Sequence, residues 1–290
     1  MTEVPDPALS ALRRAEARLL TRRLGDANPA GAVAEALREA GAGPVPSTLA
    51  AAGARIGAAV EAHGTGFAPG TEPDYHDRHH QAEATLAMGW LAGIARRAGM
   101  IDAHAARLGV LAMAGHDLLH DGDGTVAPGT LEARSADATL ALLPGLPEPD
   151  RAEIRRLILL TDPHAPAPGD LLGRLAREAD LFGSLTPCLG WRLSAALARE
   201  ILRCGRTGAD TIATHAGRLV LLRAVPAPTD AARRLGIGEA RDMQIAALAD
   251  AGAQASPEEG AAALDRLPPE EARRRYRAAL RGRGMPDLPA

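Results

Sequence analysis

The chain contains no lysine: all 33 of its basic residues are arginine. That absence excludes a Schiff-base lysine, a phosphate-loop lysine and a serine–lysine dyad. A GC-rich coding sequence accounts for it, together with the excess of alanine and arginine. Aromatic residues are nearly as scarce, at 2% of 290 positions. No run alternates valine, isoleucine, threonine and tyrosine, so strand signals are almost missing. The only cysteines, Cys188 and Cys204, make neither a CxxC pair nor a disulfide framework, which points to a reducing compartment. The opening MTEVPDPALS has early acids and prolines but no apolar core, so a signal peptide is not expected. The longest apolar stretch, residues 86–95, falls well short of the roughly 20 residues a membrane helix needs. The expectation is a cytoplasmic protein with no membrane partner. A net charge of −3 supplies no global field that would gather nucleic acid.

What is present reads as helix. Hydrophobic residues make up 46% and charged residues 24%, ordinary for a globular chain able to bury a sizeable core. Asp150 with Glu153, and Ser256-Pro257 with Glu259, predict capping boxes. Asp102, Asp170 and Asp210 predict further helix N-caps. Breakers fall at Gly122-Asp123-Gly124, Pro144-Gly145, 163–169 and 226–228. Three regions follow: an N-terminal helical extension over 1–60, a central domain over 61–253, and a polar, Arg-rich helical tail over 254–290. The run Arg273-Arg274-Arg275 reads as a solvated helix face. The tail holds no site candidate and is expected to be dispensable for chemistry.

Chemistry concentrates in the central region. Tyr75-His76-Asp77-Arg78-His79-His80 forms one cluster, and His116-Asp117-Leu118-Leu119-His120 a second. Asp180, in Glu178-Ala179-Asp180-Leu181, is a late acid. His76 and His80 are four apart, as are His116 and His120, which predicts that each pair shares a helix face. A His-Asp dipeptide is short enough to arise by chance. Its setting says more: residues 108–114 are apolar and lead straight into His116-Asp117. Burying that pair is costly without compensation. A divalent metal compensates both residues at once; the alternative is a core histidine bonded to a neighbour, with Asp117 capping a turn.

In order and approximate spacing, residues 75–182 resemble the HD-domain superfamily of metal phosphohydrolases, in the branch similar to cyclic nucleotide phosphodiesterases. That branch carries YHNxxHAxDV, then HDxxHPGxxN, a downstream Glu and Ser, an I..TD segment and an ADL segment. This chain offers Tyr75-His76-Asp77 with His80 and Glu83, then His116-Asp117 with His120 and Gly122. Glu132 with Ser135, residues 158–162 and Ala179-Asp180-Leu181 follow. It departs from the pattern at Asp77 for Asn, Asp121 for Pro and Thr125 for Asn. Asp77 and Asp121 add negative charge near the site.

The resemblance implies an all-α fold, a compact helical bundle of the HD/phosphodiesterase type with extra helices at both ends. It implies two divalent metals, the first zinc, iron or manganese and the second magnesium or manganese. His80, His116, Asp117 and Asp180 would bind the first, with Asp117 bridging to the second. A metal-activated water would attack phosphorus while His76 acts as general acid. His120 and Glu132 would orient ligands or water, with Thr161 and Asp162 as weaker candidates for that role; His79 reads as a surface residue. The implied ligand is a small nucleotide-like phosphoester, foremost a 3',5'-cyclic nucleotide, and a homo-oligomer is compatible with the sequence. The case for a purine pocket is poor. After Asp180 the aromatic residues are Phe182, Trp191 and Tyr276, and the late glutamine Gln244 reads as solvated. Other activities compatible with the same skeleton are a nucleotide phosphomonoesterase, a di-iron oxygenase recruiting His120 and His164, and a degenerate nucleotide-binding regulatory module.

Overall fold

A computed structural model describes residues 6–123 and 125–285; Gly124, part of one predicted breaker, lies outside the described residues. Among those residues the chain is all-helical, with fifteen helices and no strand. In chain order they are α1 (Pro7–Arg22), α2 (Pro29–Ala40), α3 (Ser47–Thr65), α4 (Arg78–Arg97), α5 (Ala103–Gly115), α6 (Thr130–Ala141), α7 (Glu148–Leu159) and α8 (Leu171–Leu185). There follow α9 (Leu189–Arg203), α10 (Ala209–Ile212), α11 (His215–Ala224), α12 (Asp230–Arg234), α13 (Ile237–Gly252), α14 (Pro257–Leu264) and α15 (Pro269–Gly282). None of these helices is long and apolar enough to cross a membrane.

The chain divides into two compact units. One comprises Thr21–Gly183 with Thr229–Ala231; the other takes the residues up to Leu20, Ser184–Pro228, and those from Ala232 onward. This division runs differently from the boundaries at 60 and 253 read from the sequence.

In the first unit α4 and α5 are the central helices. Ten consecutive residues of α5, Ala106 to Gly115, are buried, as is most of α4, the mark of helices surrounded on all sides. Small residues allow the close approach this needs. At Gly89 of α4 a Cβ would stand 2.7 Å from the Cα of Ala36 on α2. At the end of α5, a Cβ on Gly115 would run into the Thr139 side chain of α6, whose hydroxyl donates to the Gly115 carbonyl at 3.1 Å. The Ser135 hydroxyl, also on α6, accepts from the Leu119 amide at 3.1 Å. Helix α6 therefore pins the turn that carries His116 and Asp117. Gly115→Ala should overpack this contact and destabilise the protein by about 1–3 kcal/mol. A thermal melt reads this directly, and an unchanged midpoint would contradict the packing.

The second unit holds a buried polar knot. The Arg218 guanidinium donates to the Ser184 carbonyl, to that of Thr186 at 2.9 Å and to Gln244 Oε1 at 2.6 Å. Gln244 in turn donates to the Leu185 carbonyl at 2.8 Å. Gln244 is thus fully buried, not solvated as its helical setting suggested: the buried arginine supplies a partner that sequence does not display. Glu16 caps the start of α9 by accepting from the Cys188 and Leu189 amides. The segment after residue 253 belongs to this core, since Leu264, Ala272, Tyr276 and Leu280 are buried while Arg273, Arg274 and Arg275 are exposed as expected.

Three predicted caps hold: Asp102, Asp170 and Ser256 accept from backbone amides at 2.7, 2.9 and 3.2 Å. Two do not. Helix α7 begins at Glu148 behind Pro147, and Asp150 accepts instead from His104 Nε2 at 2.9 Å. Helix α10 begins at Ala209 behind Gly208 in the left-handed region, so Asp210 lies inside its first turn. In both cases a residue earlier in the chain had already fixed the helix entry.

Candidate metal centre

His80, His116, Asp117 and Asp180 converge in the first unit from three separate stretches of chain. Helix α4 starts just before His80 because Asp77, in extended conformation, accepts the His80 amide on its carboxylate at 2.7 Å. His116 ends α5, and Asp117 follows in the turn held by α6. Asp180 projects from α8, whose Ala179 and Phe182 are buried, Phe182 edge-on against Trp90 at 5.8 Å. The neighbouring Glu178 is engaged elsewhere, accepting from the Thr229 amide and hydroxyl, each at 2.6 Å.

The distances are short for four charged or polar groups. His80 Nε2 lies 3.1 Å from Asp180 Oδ1 and 3.4 Å from Asp117 Oδ2. His116 Nε2 lies 3.3 Å from Asp180 Oδ1 and 3.1 Å from Asp117 Oδ2. Both imidazoles are sealed from solvent, at 2% and 1% exposure.

His116 tests whether a cation fits. Its Nδ1 donates to the Met113 carbonyl at 2.8 Å, which leaves Nε2 presenting a lone pair towards two carboxylates. That buried Nε2 has no well-formed hydrogen bond of its own. A lone pair facing carboxylate oxygens is repulsive, so the ring must either take a second proton or share a cation with them. Two imidazole nitrogens and two carboxylate oxygens form a suitable donor set for zinc, iron or manganese. The ligand atoms of His80, His116 and Asp180 lie within 4.8 Å of one another and could hold a metal ion. The negative end of α5 adds to the preference for positive charge.

Without metal, protons take that role. Burial opposes the imidazolium of His80, yet hydrogen bonds and charge from Asp117 and Asp180 prevail and lift its pKa to about 9. His116 is likewise lifted well above its ordinary value, against burial, chiefly by Asp117. Burial would raise Asp117 and Asp180, but the two imidazoles hold both below the usual carboxylate range. The carboxylates therefore contribute stability that is present above their unfolded pKa and lost as pH falls. The His80 contribution is full below 6.5 and lost as pH rises through about 9. Metal-free protein should thus weaken between those values as His80 loses its proton, on the order of 1 kcal/mol per pH unit. Cation affinity should rise over the same window, because binding releases those protons. Melting in chelator at several pH values checks this; a flat profile would count against the coupled protons.

The remaining sequence candidates fall into groups. His76 and His120 stack with ring centroids 3.6 Å apart, and Tyr75 lies 4.7 Å from the rings of both His76 and His80. His120 Nδ1 accepts from the Gly122 amide at 3.2 Å. Neither four-residue pair shares a helix face: His76 precedes α4, and His120 lies past the turn after α5. The rings meet because turns, not a helix, bring them together. Glu132, half-buried on α6, has its pKa raised by burial and by the charges of Asp162 and Asp117, so three carboxylates share one neighbourhood. Thr161 is occupied otherwise, its hydroxyl donating to the Ile158 carbonyl at 2.7 Å. His79 is partly exposed and meets the Gly25 carbonyl at 3.1 Å. Asp77, which read as added charge at the site, is a helix cap.

Sequence reasoning missed Arg23 and the role of Glu83. Arg23 donates to both carboxylate oxygens of Glu83, at 2.5 and 2.9 Å, and to Asp77 at 3.4 Å. With every cation an arginine, Arg23 carries no signal that sets it apart. No protein-family model matches the chain, and no curated protein matches its sequence.

Proposed function

We propose that this protein is a metal-dependent phosphohydrolase of the HD type, acting on a small phosphodiester such as a 3',5'-cyclic nucleotide. The observation that carries the reading is the meeting of His80, His116, Asp117 and Asp180 around the unsatisfied Nε2 of His116. His80, His116, Asp117 and Asp180 would hold a first cation of the zinc, iron or manganese class. Asp117, with Glu132 and Asp162 nearby, faces a neighbouring region suited to magnesium or manganese. Divalent cations bound there supply Lewis acidity to a phosphoryl oxygen and to an attacking water. The chain's own residues do the rest. Burial of the ligands keeps bulk water from competing for them. The Met113 carbonyl fixes the His116 tautomer, and stacking on His120 restrains His76 at the edge of the centre. From there His76 delivers a proton to the departing oxygen.

The test is a screen of metal-reconstituted protein against cyclic nucleotides, nucleotide monophosphates and bis-p-nitrophenyl phosphate. Turnover of diesters supports the proposal, and turnover of monophosphates alone moves it to a phosphomonoesterase. Oxygen consumption by iron-loaded protein, without phosphate release, would replace hydrolysis with oxidation.

A further inference from the structure

We propose that Arg23 is a positioning residue for the metal centre, acting through Asp77 at the N-cap of α4 and Glu83 within its second turn. The catalytic consequence rests on the hydrolase reading; the positioning itself does not. Asp77, His80 and Glu83 recur at intervals of three and lie along one side of the helix. The Asp77 carboxylate holds the His80 amide with Oδ1 at 2.7 Å and meets Arg23 with Oδ2 at 3.4 Å. Glu83 receives the Arg23 fork one turn later, at 2.5 and 2.9 Å. One guanidinium thus grips the residues on either side of His80. Tyr75, in ring contact with both His76 and His80, links the same stretch to the proposed general acid.

Stability alone does not account for this cluster. The Glu83 side chain is 3% exposed, and those of Arg23 and Asp77 17% each. Replacing a buried ion pair with apolar groups of similar volume is often neutral or stabilising. What the cluster does offer is direction. A bidentate fork fixes the angle as well as the distance of the carboxylate it binds, and the α4 entry it fixes is the one that aims His80. Outer partners of metal ligands commonly contribute in this way.

Arg23→Met/Glu83→Met separates positioning from stability. Cobalt(II) titration, followed by its visible absorption, reads both affinity and ligand geometry, and a thermal melt reads the fold. The double variant should melt no lower than the wild type, bind cobalt roughly 10–100-fold more weakly and show a shifted spectrum. Arg22→Gln is the control, since Arg22 bonds to the Ala27 carbonyl and to Glu35; it should match the wild type. Unchanged affinity and spectrum in a folded double variant would overturn the proposal. If that variant does not fold, Arg23→Lys, which keeps the charge and loses the fork, decides the question by the same two signals. If the wild type takes up no cobalt, the hydrolase reading falls. Amide exchange in metal-free Arg23→Gln then decides: faster exchange at His80 and Gln81 with α5 unaffected supports positioning, and equal exchange overturns it.

Discussion

Asp180→Ala should strip the metal from the protein and abolish turnover, even though Asp180 lies 63 residues beyond Asp117 in the sequence. Its Oδ1 stands 3.1 Å from His80 Nε2 and 3.3 Å from His116 Nε2, so its removal takes one donor from the set and one counter-charge from both imidazoles. The histidines then lose part of what lifts their pKa values, and in a buried site they shed protons. Asp180→Asn separates the two effects. It keeps the volume and one oxygen, so the fold should survive while affinity still falls through loss of the charge. His116→Ala and Asp117→Ala should behave like Asp180→Ala. Elemental analysis after desalting reads the result, and metal at wild-type level in the alanine variants would sink the assignment.

His76→Ala should show a different signature: metal retained, chemistry slowed selectively. A general acid matters most when the leaving oxygen is a poor leaving group, such as a ribose alkoxide, and protonating it is typically worth 10²–10⁴-fold. A p-nitrophenolate departs without help. The variant should lose about 10²-fold or more on a cyclic nucleotide and far less on bis-p-nitrophenyl phosphate. Equal losses on both would indicate misplaced ligands, which is credible because the His76 ring stacks on His120 and touches Tyr75. No loss on either removes His76 from the reaction. Saturating substrate is needed, so that weakened binding is not scored as slow chemistry.

His116 and Asp117 were legible as candidates because of the local pattern that precedes them, whereas His80 and Asp180 entered through the family resemblance. An apolar run ending in His-Asp is uneconomical unless something offsets the charge, and α5 is buried along the stretch that leads into it. Helicity was legible from caps and from the lack of strand signals. What was not legible depends on partners distant in the chain. Nothing near Gln244 announces Arg218 at 26 residues' separation, and nothing near Glu83 announces Arg23 at 60. The spacing of His116 and His120 misled for another reason: a four-residue interval means a shared face only while the helix continues, and α5 ends at Gly115.

The candidate ligands lie at residues 80, 116–117 and 180. A single cation would therefore close two large loops, one between His80 and His116 and the other between Asp117 and Asp180. Ordering loops of that size costs entropy that grows only slowly with length, and a cation that binds only the folded arrangement would offset that cost by mass action. The ion would act as a reversible staple in a unit that has no disulfide. Because the staple forms only once α4, α5 and α8 have docked, it should slow unfolding far more than it speeds folding. Chelation would then be felt first as a shortened lifetime of the folded state rather than as a change in its shape.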